Sequence, residues 1–206
     1  MSVEKNKEEQ IGIILLAAGD SSRLGHPKQL LRYKGQTLLQ HSLHKALTSN
    51  AQSVVVVLGA NADIFQEEIT GDKIHVVINA DWQEGMASSI RTGIRAITEI
   101  NAPLQGVILL VCDQPFINAT LLNNLITAHQ KTGKKIIACS YGNTFGPPVF
   151  FYQSLFSELL QLRGDTGARS IIRQHIDNVE AIPFPEGTFD IDTNADYEKI
   201  KRDDES

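Results

Sequence analysis

Five short runs of Ile, Val and Leu constrain this chain more than any other feature: Ile11–Leu16, Ser53–Leu58, Ile74–Ile78, Val107–Val111 and Ile136–Ala138. None of them alternates apolar with polar residues throughout. Runs of this kind belong to strands buried on both faces, as in a parallel sheet covered by helices on either side. Amphipathic segments separate them. Thr37 is placed to cap a helix carrying Leu39, Leu43 and Leu47, and Asn61 to cap a second that reaches Ile69. Ile90, Ile94 and Ile97 mark one face of a helix from Met86 to Ile97, and Leu121, Leu122, Leu125 and Ile126 mark a further one. This alternation predicts an α/β fold: a single-domain, doubly wound, mostly parallel sheet of Rossmann-like type.

The C-terminal third is less regular. Gly146-Pro147-Pro148 reads as a break, Val149–Tyr152 as a short strand, and Gln153–Leu162 and Ala168–Gln174 as helical. A short strand near Phe189–Ile191 and a helix from Asn194 close the pattern. A chain of 206 residues that is 42% hydrophobic suits one domain spanning 1–206, with two small domains as the alternative. At this size a chain buries roughly 70% of its unfolded surface and needs no disulfide or metal staple. The expected ordered core runs from about residue 10 to about residue 200, with 1–9 and 201–206 as flexible tails. A net charge of -5 argues against a nucleic-acid partner. Cys112 and Cys139 lie in apolar runs without Cys-x-x-Cys spacing, as buried, reduced thiols of a cytoplasmic protein do. Met1–Gln10 has no apolar stretch resembling a secretory signal, and no run approaches the ~18 apolar residues of a membrane span.

The segment leaving the first strand carries the chemistry. Leu16-Ala17-Ala18-Gly19-Asp20-Ser21-Ser22-Arg23-Leu24-Gly25-His26-Pro27-Lys28 offers two glycines, two serine hydroxyls, an arginine and a lysine. Glycine lets backbone approach an anion, successive N–H groups there form an anion-binding concavity, and Arg23 and Lys28 supply charge. These are parts for holding a polyphosphate at the carboxyl end of a strand. The run is neither a Walker loop, because Gln29 follows Lys28 where Ser or Thr is required, nor Gly-x-Gly-x-x-Gly. Asp113, in Cys112-Asp113-Gln114-Pro115, follows another strand; it can reach a nucleotide-bound metal or cap the next helix. In Phe189-Asp190-Ile191-Asp192-Thr193-Asn194, Asp190 and Asp192 share a face if the segment is extended, whereas Asp192 or Thr193 can instead cap the last helix. Gly85, Ser88 and Ser89 sit at another strand-to-helix junction, where one serine is accounted for by a plain cap. His41 and His44 lack the Cys or acidic partner that would complete a zinc set and read as surface or packing residues.

The loop resembles, nearly position by position, the signature of the molybdenum-cofactor nucleotidyltransferases, and most of all the MocA-like cytidylyltransferase pattern Leu-Ala-Ala-Gly-x-Ser-x-Arg-Met/Leu-Gly-x-Pro-Lys. Cys112-Asp113-Gln114-Pro115, Gly85-Met86-Ala87-Ser88-Ser89-Ile90, Gly146-Pro147-Pro148-Val149-Phe150-Phe151, Gly164-Asp165-Thr166-Gly167-Ala168-Arg169 and Asp190-Ile191-Asp192-Thr193 resemble further family elements, in family order. The resemblance implies a nucleotidyltransferase fold and transfer of CMP from CTP to the phosphate of molybdopterin carrying molybdenum. It implies Lys28, Arg23 and Asp113 as catalytic, and Leu16, Ala17, Ala18, Gly19, Ser22, Arg23, Lys28, Gly85, Ser88 and Ser89 around the nucleotide. Pro148, Asp165 and Arg169 fall to the acceptor, and Asp113 and Asp192 to Mg2+. A receiving molybdoenzyme would be a transient partner. Leu24 departs from the commoner methionine, and Asp20 places a negative charge in the loop, expected to face solvent. The alternatives within this chemistry are GTP as donor or a sugar or polyol phosphate as acceptor. An alternative outside it is a non-catalytic cofactor chaperone.

Overall fold

The computed structural model describes residues 10–21, 24–71, 73–100 and 103–204. Strand β1 is Ile11–Ala17; a small hairpin follows, with β2 at Arg32–Tyr33 and β3 at Gln36–Thr37. Helix α1 is Leu38–Leu47, β4 is Ser53–Leu58, α2 is Ala62–Gln66 and β5 is Ile74–Ile78. Then come α3 at Met86–Ile100, β6 at Gly106–Val111, α4 at Ala119–Thr132, β7 at Ile136–Tyr141 and β8 at Thr144–Tyr152. Short helices α5 (Phe156–Leu159) and α6 (Arg169–Gln174), strand β9 (Val179–Pro183) and helix α7 (Asn194–Asp204) complete the chain.

Seven strands form one sheet in the order β5-β4-β1-β6-β8-β7-β9. The strands β5, β4, β1 and β6 are mutually parallel. β8 runs antiparallel to both β6 and β7, and β9 is parallel to β7. After β1 the chain builds outward through β4 and β5, then returns to lay β6 on the opposite side. That reversal opens a crevice beyond the carboxyl ends of β1 and β6, the place where open α/β sheets bind ligands.

Both faces of β1 are buried, which is why its sequence shows no alternation. Ile11, Ile13 and Leu15 pack on one face with Leu39, Leu43, Leu122 and Leu125. Ile14 packs on the other with Ile90, Ile94 and Ile97 of α3. Each fully buried aliphatic side chain contributes roughly 1.5–3 kcal/mol relative to exposure. Thr37 caps α1 as expected, in a reciprocal box with Gln40. Asn118, not Asp113, caps α4, with its side chain accepting from the Leu121 N–H.

Several local expectations are corrected. Asn61 precedes α2 in a left-handed conformation with no side-chain cap, and the helix stops at Gln66 rather than Ile69. Gly146-Pro147-Pro148 does not break the strand; β8 runs through it, and a register shift in the ladder between Ala138 and Cys139 takes up the irregularity. Phe189–Ile191 is not a strand, whereas Val179–Pro183 is one that the sequence pattern did not mark. A third, small cluster unites Leu24, Leu31, Tyr33, Leu38, Ile191 and Ile200. It docks α7 and the segment before it beside the loop that carries Lys28.

Candidate active site

The loop beyond β1 is held from below by a residue that the sequence reading used only to rule out a Walker loop. Gln29 is 1% exposed, and its Nε2 donates to the carbonyls of Ala17 (3.1 Å) and Gly19 (2.9 Å). Ser21, at φ 57°, accepts the Lys28 N–H at 3.0 Å and donates to Gln29 Oε1 at 3.3 Å. The loop is thereby stapled to the strand end by its own side chains. Gly19 is exposed, and among the described residues a Cβ added there would meet no heavy atom within 4 Å. Asp20 is exposed, as expected, at the edge of the same cavity. Ser22 and Arg23 lie outside the described residues.

Three charged side chains from distant parts of the chain converge at the mouth of the crevice. Lys28 Nζ lies 2.5 Å from Asp113 Oδ2 and 3.2 Å from Asp192 Oδ1. Burial works against the ammonium charge, but the Asp113 carboxylate outweighs it with help from Asp192, and the Lys28 pKa is raised. Asp113 reaches this point because β6 ends at Val111 in the switch crevice. Asp192 reaches it because the Ile191 N–H donates to the Asp113 carbonyl at 2.9 Å, a single strand-like bond in an otherwise irregular segment. Thr193 and Asp196 exchange hydrogen bonds with each other's backbone at the start of α7. Asp190 stands behind the pair, accepting from Gln114 Nε2 at 3.0 Å. Burial and the nearby Asp113 charge push its pKa up.

Asp113 also sits where two adjoining cavities meet. The first, about 390 Å³, is lined by Leu16–Asp20, Lys28, Gln29, Trp82, Gln83, Gly85, Ser89 and Cys112. The second, about 330 Å³, is lined by Leu109, Gln114, Tyr141, Gly146, Pro147, Arg169 and Asp190, among others. Leu16, Met86, Val111, Asp113 and Asp165 line both. The 146–149 and 165–169 segments therefore border the second cavity, across Asp113 from the glycine loop.

The residues expected around the nucleotide are not all in reach. Ser88 is 1% exposed; it donates to the Gly85 carbonyl and accepts from Asn79, so it braces the helix start instead of facing the cavity. Ser89 also accepts from Asn79 but does line the first cavity. Gly85, at φ 114°, makes its close approach to protein: a Cβ there would lie 2.7 Å from Asp165 Cα and 2.8 Å from the Gly164 oxygen. Glu84 strengthens this seam by accepting from both Arg91 guanidinium nitrogens and from the Gly164 N–H. The Arg91 hydrogen bond is the chief reason its carboxyl pKa falls to about 2. On the acceptor side, Pro148 is buried and Pro147 borders the cavity in its place. Asp165 borders both cavities, and Arg169 borders the second together with Tyr141. Trp82, Gln114 and Tyr141 are site residues that the sequence reading did not single out. Burial pushes the Cys112 thiol up to about 12, which leaves it protonated. His41 bonds the Pro115 carbonyl at 3.0 Å, a packing role.

Comparison with known proteins identifies the family. A family model described as the MobA-like NTP transferase domain matches residues 13–179. The chain belongs to that family. It is 32% identical over 170 residues to nicotine blue oxidoreductase of Paenarthrobacter nicotinovorans, covering 78% of this chain and 80% of the relative. It is 29% identical over 204 residues to the purine catabolism protein PucB of Bacillus subtilis strain 168, covering 92% and 95%. The crystal structure of Rv0371c from Mycobacterium tuberculosis H37Rv superposes with a TM-score of 0.80 at 29% identity, over 94% of this chain and 98% of the other. A manganese complex of that protein superposes at 0.74 with 27% identity, over 93% and 97%. The chain is thus a nucleotidyltransferase-family protein with the corresponding Rossmann-like fold.

Proposed function

We propose that this protein is a Mg2+-dependent cytidylyltransferase that transfers CMP from CTP to the terminal phosphate of molybdopterin carrying molybdenum. The observation that carries this reading is the position of Asp113, paired with Lys28 and close to Asp192, at the junction of two cavities. A phosphate oxygen of the acceptor attacks the α-phosphorus of CTP, a new P–O bond forms, the α–β bridge breaks and pyrophosphate leaves. The nucleophile is already ionised, so the protein's task is alignment and charge compensation rather than proton abstraction. The glycine loop receives the triphosphate, and Lys28 supplies a compact positive charge to its oxygens.

Asp113 and Asp192 would hold the metal. Among the described residues no three His, Cys, Asp or Glu side chains form a ligand group. Two carboxylates fit Mg2+ when substrate phosphates and water fill the remaining positions, and both here converge on a single cationic atom. When bound, the metal neutralises charge on the phosphate oxygens. A homologue crystallised with manganese supports divalent-metal use in this fold. The product would pass to a molybdoenzyme in the cytoplasm.

The name of one relative raises a redox reading. The Lys28–Asp113–Asp192 cluster favours phosphate chemistry, and pyrophosphate release by the purified protein distinguishes transfer from redox turnover and from passive cofactor carriage alike. Nucleotide choice should favour CTP over GTP. Ala18 lines the first cavity, and a Cβ here, where glycine would leave more room, suits the smaller pyrimidine. In direct competition wild type should use CTP at least tenfold faster, and Ala18→Gly with Pro27→Asp should shrink that ratio; equal use of both by wild type refutes the assignment. Arg169 borders the second cavity, so Arg169→Ala should raise the Michaelis constant for molybdopterin several-fold more than that for CTP. A rise confined to CTP would move it to the nucleotide side, and no rise in either would remove it from substrate binding.

A further inference from the structure

Lys28 stands between two sets of anions, the carboxylates it touches and the triphosphate it is read to bind. As a phosphate ligand it must point toward the glycine loop, yet its ammonium contacts Asp113 Oδ2 and Asp192 Oδ1 together. We propose that Lys28 is a removable internal counter-ion that keeps a divalent cation off Asp113 and Asp192 until a triphosphate draws the lysine away. The proposal rests on the reading of those two aspartates as the metal-holding pair.

Magnesium needs its oxygen donors at ~2.0–2.1 Å, and the ammonium is in contact with one oxygen of each carboxylate that would have to supply them. A dication entering beside it would face a like charge at contact distance, in a spot where the lysine side chain is only 18% exposed and water screens little. The lysine has somewhere to go. It lines the same cavity as Leu16–Asp20, so triphosphate oxygens bound along that loop offer it a new anion. Its backbone need not move: the Lys28 N–H is tied to Ser21, and the next residue, Gln29, is pinned to the Ala17 and Gly19 carbonyls. Triphosphate binding would then clear the two carboxylates and add its own oxygens to the metal's shell in one event. Metal and nucleotide would be coupled, and the coupling reciprocal.

The test is Mn2+ binding without nucleotide, followed by electron paramagnetic resonance of the free ion. Wild type should bind Mn2+ weakly, and Lys28→Met, which keeps the stem and loses the charge, should bind it at least tenfold more tightly. Lys28→Ala is the second variant, should the first fail to fold by circular dichroism, and should show the same gain. Adding Asp113→Asn to either should abolish it. Folded lysine variants that bind Mn2+ no more tightly than wild type overturn the proposal. The metal assignment is judged separately, by water-proton relaxation of Mn2+–CTP on wild type and on Asp113→Asn. A loss there with no gain in the lysine variants keeps the metal pair and rejects the gate. No loss there removes the metal pair, and the gate with it.

Discussion

Lys28→Ala is expected to lower turnover about a hundredfold, ~2.7 kcal/mol of transition-state stabilisation, while leaving the fold intact. The lysine is the described cation at the junction of loop and crevice, and it is held there by two carboxylates. Its loss strips one positive charge from the triphosphate side in a partly water-excluded site. Stability should change little. The backbone of the loop is fixed by Gln29 and Ser21, not by the Lys28 side chain, and the two carboxylates it leaves behind are 20% and 31% exposed and can be solvated. Near-normal pyrophosphate release by a folded Lys28→Ala protein, checked by circular dichroism, would refute the role.

Asp113→Asn and Asp192→Asn are each expected to cut activity by on the order of a hundredfold and to raise the Mg2+ concentration needed for half-maximal rate, because the amide keeps the shape and loses the charge. The double variant should be little worse than the poorer single one, since both side chains serve one cation. They also share Lys28, which alone would make their effects non-additive. The cycle is therefore repeated on Mn2+ binding in the Lys28→Met background. Coupling that survives there belongs to a shared metal, whereas additive losses would mean the two aspartates do not hold one ion.

The central sheet was legible because β1, β4 and β6 are buried on both faces and carry an unbroken apolar signal. The lysine loop and Asp113 were legible because each directly follows such a strand. Asp192 was legible as a residue but not in its placement. No strand delivers it; the bond from Ile191 to the Asp113 carbonyl and the packing of Ile191 and Ile200 against Leu31 and Leu38 do, and these are contacts between ends of the chain. Gln29 and Gln114 were missed for a related reason. A glutamine's value here lies in which carbonyls and carboxylates surround its amide, and no local pattern encodes that. Ser88 went the other way: a hydroxyl at a helix start suggested a ligand, but its bonds to Asn79 and the Gly85 carbonyl turn it away from the cavity, whereas Gly85 lines it while also packing on Gly164 and Asp165. Pro148 is buried while Pro147 borders the cavity, a one-residue difference in a strand whose successive side chains point to opposite faces.

One measurement bears on the proposed transfer most directly: the protein is incubated with Mg2+, molybdopterin carrying molybdenum and an equimolar mixture of CTP and GTP, and the products are identified by mass. The account predicts a molybdopterin adduct heavier by a CMP unit, formed one for one with pyrophosphate and lost in Lys28→Ala. Absence of any nucleotidyl adduct from either triphosphate, or an adduct carrying GMP alone, would contradict it.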